Sequence, residues 1–188
     1  MNVHQLSISY LPEQDRILAR VNTSENKELQ FWVTRRLALG LMPVMERIQT
    51  EHAALQGGPA TAQLAAADPI AKKAIADFQR NETLRGADFS TPYNAPPVNE
   101  PLFGGPLLIT DINIAPLDGG RLRLNCIEKL SENPQQRTFE LALSQTLAHA
   151  FMHLLDLAVV KSLWRTTPQA AAEPSALSSP AAQQGYLN

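Results

Sequence analysis

His149 and His153 lie four residues apart in a stretch with helical periodicity. Their imidazoles therefore stand one turn above another, a spacing that can chelate a metal ion. The zinc-protease pattern needs a glutamate directly after the first histidine, and Ala150 stands there instead. Asp156 shares the stripe, but at about 1.5 Å rise per residue it lies about 10 Å along the axis from His149. One ion would not readily be held by both. The plainer use of these residues is a polar stripe on a mostly buried helix, with His153 and Asp156 within i,i+3 reach.

A second group combines cations with an aromatic. Arg16 and Arg20 occupy outward positions of one expected strand and Trp32 an outward position of another. Arg121 and Arg123 take the same place later in the chain. Arginine on a sheet face neutralises phosphate and an exposed indole stacks on a base, which is the chemistry of single-stranded DNA or RNA binding. The alternative is a solvated face, with these arginines paired to Glu13, Glu28 or Glu140 and Trp32 covered by a connector. Cys126 falls on an inward strand position and suits a small core residue. No glycine-rich phosphate loop follows a strand and opens a helix, and no Ser–His–Asp context is visible. The expected function is therefore non-enzymatic binding or an adaptor role toward an unknown protein partner, without a cofactor. Single-stranded nucleic acid is the alternative ligand.

The elements that must position these groups read clearly. Val3–Leu11, Arg16–Asn22 and Glu28–Val33 alternate apolar and polar residues, the period of half-buried strands. Thr34 is placed to cap a helix running to about Leu55, with Pro43 inside it. Gly57-Gly58-Pro59 is expected to stop it, leaving residues 59–68 loose. Asp68-Pro69 opens a short helix to about Thr83, with Ile70, Ile75 and Phe78 as its apolar contacts. Residues 87–106 are rich in Pro, Gly and Asn and read as a connector draped over the surface.

The second half repeats the pattern. Residues 107–115 read as one strand, 121–127 as another, 131–136 as a turn and 137–143 as a third strand. Ser144 caps a long helix whose face is Leu147, Phe151, Leu154 and Ala158, widened by Leu155, Leu157 and Val159. Each half is thus strand–strand–strand–helix. The expected fold is α+β: duplicated β-β-β-α units over 3–55 and 107–164, joined by a connector over 56–106. Two antiparallel sheets, or one six-stranded sheet, pack on the two long helices in a single domain over 1–165. A tail at 166–188, poor in apolar bulk, is expected to be disordered.

The 188 residues are 44% hydrophobic with a formal net charge of −2, so a core can form and bulk charge does not drive polyanion binding. One cysteine excludes an internal disulfide and fits a reducing compartment. With no signal segment at its start and no long apolar run, the chain is expected to be cytoplasmic, without membrane contact, as a monomer or homodimer. At the level of element order, the two sheet-plus-helix units resemble the PUR-repeat and Whirly families of single-stranded nucleic-acid binders, which have four strands per repeat. The block VHQLSISYLPEQDRILARVNTSENKELQFWVTRRLALGL is similar to small uncharacterised bacterial proteins, which implies a bacterial origin and no mechanism.

Overall fold

The structure, a computed structural model, describes residues 3–23, 27–93 and 101–165. The tail at 166–188 lies outside them. The first half is a meander of β1 (Val3–Leu11), β2 (Arg16–Thr23) and β3 (Glu28–Val33), followed by α1 (Arg35–Gln56). Helices α2 (Gly58–Ala67) and α3 (Pro69–Arg85) come next. The second half is β4 (Leu107–Leu108), β5 (Asp111–Pro116), β6 (Leu122–Leu130), β7 (Asn133–Leu143) and α4 (Gln145–Ser162). The class is α+β, with two sheets in the order β1-β2-β3-β4 and β5-β6-β7.

Local chemistry sets the helix ends. The hydroxyls of Thr34 and Ser144 accept from the amides of Leu37 and Leu147, and the carboxylate of Asp68 from that of Ile70. Apolar residues then decide the packing. Ile17, Ala19 and Val21 of β2, Leu29, Phe31 and Val33 of β3, and Leu122, Leu124 and Cys126 of β6 are all buried. They join Phe151, Leu155 and Val159 of α4 in one core cluster. Phe31 and Phe139 bring the two sheets together, their ring centroids 5.3 Å apart. Each long helix also reaches the other half: α4 packs on β1, and α1 on β5.

Residues 107–116 do not form one strand. Leu107–Leu108 pairs in parallel with β3, and Asp111–Pro116 pairs antiparallel with β6. Between them the chain turns from one sheet to the other. The Ile109 amide donates to the Trp32 carbonyl at 3.2 Å and the Thr110 amide to the Ile127 carbonyl at 2.9 Å. The Leu108 amide donates instead to a side chain, Glu128 Oε1, at 2.7 Å. Glu128 is 3% exposed, and Arg137 donates to its other oxygen.

Three further expectations are corrected. Residues 58–67 are helical rather than loose. The first long helix does end at Gln56, before Gly57, as expected, but Pro59 then opens a new helix, and the Ala-rich run that follows has high helix propensity. The 131–136 turn shrinks, because β6 extends to Leu130 and β7 begins at Asn133. Ile70 and Phe78 are 80% and 67% exposed, so α3 packs on α1 and α2 through its other side, where Ile75 is half-buried.

Removing the Glu128 carboxylate leaves the Leu108 amide without its acceptor where the sheets join. Glu128→Ala is expected to destabilise the protein by about 1.5–3 kcal/mol, the range for hydrogen bonds to charged groups. Glu128→Gln, which keeps an acceptor, should lose less. Urea unfolding checks both.

Candidate functional site

On the outer face of the first sheet, strand register fixes the neighbours. Arg16 lies opposite Leu11, and Arg20 stands between Ser7 and Gln30. Leu18 stands between Ser9 and Trp32, and Trp32 is flanked on its other side by Leu108. The indole row thus falls between the two arginine rows, which are about 13 Å apart along β2 at roughly 3.3 Å per residue. Arg16 is exposed, and Arg20 and Trp32 are half-buried. Among the described residues neither arginine is paired with a carboxylate.

The connector closes one end of this face. The Tyr93 hydroxyl lies 2.9 Å from Asn22 Oδ1 and 3.0 Å from Glu28 Oε1, and Gln30 Nε2 donates to the other Glu28 oxygen. Burial, and then Glu28 beside it, raise the Tyr93 phenol well above its ordinary value, while the nearby Arg20 charge opposes that rise. Glu28 is therefore engaged by Tyr93 and Gln30.

Arg121 and Arg123 are elsewhere. Arg121 precedes β6 and donates to the Asp118 carbonyl of its own turn at 3.0 Å. Arg123 lies on β6 of the second sheet, between Ala115 and Ala142, and reaches Glu140 at 4.0 Å. The structure brings together Arg16, Arg20 and Trp32, and leaves the later pair on a different sheet.

The stripe of α4 has an unexpected setting. His149 is buried, 5% exposed, in a seam between α1 and α4 that also holds Gln49, His52 and Gln145. The turn before β6 covers it at Gly120, where a Cβ would stand 2.9 Å from His52 Nε2 and from Gln145 Cδ. His149 Nδ1, His52 Nε2 and Gln49 Nε2 have no hydrogen-bond partner among the described residues. Burial first, then the charges of Arg80 and His52, push His149 down to about 4. His153 packs edge-on against Phe89 instead, at 5.4 Å. Asp156 pairs with Arg165 at 2.8 Å, not with His153. The two imidazoles whose spacing could chelate a metal thus face different surroundings. Among the described residues no group of three His, Cys, Asp or Glu side chains is placed to hold a metal ion. Sequence spacing gave no signal of His52, which comes from another helix.

A histidine held neutral in the fold loses stabilisation as the unfolded chain takes up protons. The unfolded value is near 6.5 and the folded one about 4, so stability should be full above pH 6.5 and fall between pH 6.5 and 4. His149→Gln is expected to flatten the unfolding free energy across that window, measured by urea titrations at stepped pH.

No protein-family model, no curated protein and no solved structure matches this chain.

Proposed function

We propose that this protein is a non-enzymatic binding protein and that its ligand is single-stranded nucleic acid, held on the outer face of the first sheet. The observation that carries the reading is the row order on that face: Trp32 lies between the rows of Arg16 and Arg20, neither of which has a carboxylate partner among the described residues. An indole with a cation on each side can stack on one base while the guanidiniums meet flanking phosphates. The net charge of −2 is not against this, because a local cationic face is what meets the strand. The proposed setting is a bacterial cytoplasm, which suits a chain whose one cysteine, Cys126, is buried as a free thiol. Among the described residues no helix is long and apolar enough to cross a membrane.

A second reading, an adaptor for a partner protein, is favoured by α3. Ile70, Ala74 and Phe78 form an exposed row at i, i+4 and i+8, and Leu64 on α2 is also exposed. Such a row suits an apolar helix face of another protein. Aspartate at Ile70 and Phe78 should leave the thermal midpoint nearly unchanged and abolish cross-links formed from a photo-reactive residue at Asn81. An unaltered cross-linking pattern would end this reading.

The nucleic-acid reading predicts binding of labelled single strands in preference to duplex, weakening as salt rises. Quenching of fluorescence should disappear in Trp32→Phe. Replacing Arg16 and Arg20 by Gln should reduce the salt slope by about 1.4, at roughly 0.7 per phosphate contact. The same change at Arg121 and Arg123 should leave it unaltered. Absence of binding at low salt and tens of micromolar protein would overturn the proposal.

A further inference from the structure

Helices α1, α3 and α4 enclose a cleft of about 400 Å³, separate from the sheet face. That is the size range of small-molecule sites. Its apolar wall includes Met42 on α1 and Met152 on α4, two flexible thioether side chains that adapt to irregular shapes. Pro43 is also in the wall. It has no amide proton, so the Leu39 carbonyl four residues earlier, at the same cleft, lacks its ordinary helical donor.

The cleft is lined by two acids, Glu46 and Asp156, and two arginines, Arg80 and Arg165, but these do not pair one to one. Glu46 is 3.5 Å from Lys73, and Asp156 is bound to Arg165. Both acids are thus engaged. Arg80 also lines the cleft and has no carboxylate partner among the described residues. Its charge is felt by His149 below. A planar guanidinium without a counter-ion, beside an apolar wall, is built to receive a carboxylate or phosphate in two parallel hydrogen bonds.

We propose that this three-helix cleft binds a small amphipathic anion, its carboxylate or phosphate head on Arg80 and its apolar body against Met42 and Met152. His153, on the rim beside Phe89, offers the head a further donor. The site requires nothing of the nucleic-acid face, and each can fail without the other.

The test uses the full chain with octanoate and octyl phosphate as probes and 1-octanol as the uncharged control. Calorimetry should show one saturable site for at least one of the two anions, and binding of octanol at least about tenfold weaker. The bound anion should shift the methyl carbon signals of Met42 and Met152 in the NMR spectrum. Arg80→Gln should weaken anion binding about tenfold or more, and Arg80→Lys should recover part of it. Arg85→Gln, on the same helix but paired with Glu82, should bind as the parent does. Arg80 is exposed, so its variants are expected to keep the parent thermal midpoint. Failure of both anions to bind at millimolar concentration overturns the proposal. So does equal binding by Arg80→Gln, or binding that leaves both methionine signals in place.

Discussion

The structure depends on how one stretch of backbone passes between two sheets. Residues 107–111 leave the parallel pairing with β3 and enter the antiparallel pairing with β6 within a few residues. A backbone that changes partner inside a core must keep every amide satisfied, since an unpaired buried group costs about as much as a lost hydrogen bond. Glu128 meets that demand, accepting from the Leu108 amide while Arg137 balances its charge. A carboxylate on the inner face of β6 would otherwise be a burden on the core. Here it sits where the chain passes between the sheets and the Leu108 amide takes a side-chain acceptor.

That corner explains the covering of the core. A three-stranded meander with one helix leaves apolar area open, and two such units can close over each other. Because α4 lies on β1 and α1 on β5, neither half has its own complete core. A second tie works at the far end. Asp15, in a left-handed conformation with φ of 47°, accepts from the Trp164 indole at 2.7 Å and from the Tyr10 hydroxyl at 2.9 Å. Arg35 donates to the Trp164 carbonyl. The turn of the first hairpin, the start of α1 and the end of α4 are thereby fixed at one place.

What could be read from the sequence follows from the range of the interactions. Period-two alternation placed β1, β2 and β3 to within a residue, and Thr34, Asp68 and Ser144 marked helix starts, because strand faces and caps are local features. The split of residues 107–116 was not legible, since it depends on Glu128 some twenty positions away. The burial of His149 was not legible either, since α1 and the Gly120 turn cover it. Ile70 and Phe78 misled for the converse reason: an apolar residue on a helix signals burial only if a neighbour arrives to cover it. For the candidate site, alternation gave the outward face of Arg16, Arg20 and Trp32. Only the register could show that the indole row falls between the arginine rows.

The polar stripe of α4 shows how the seam and the cleft divide one surface. Gln145 and His149 are capped by the Gly120 turn, while His153 and Asp156 open toward the cleft. Among the described residues no carboxylate lines the seam, and Arg121 does, with the Arg80 charge also opposing protonation of His149 after burial. A divalent cation there would gain two imidazoles but would lie beside the Arg121 guanidinium, with no carboxylate among the described lining residues to offset its charge. A neutral imidazole has no such cost. On the cleft side, Arg80 has no carboxylate partner among the described residues.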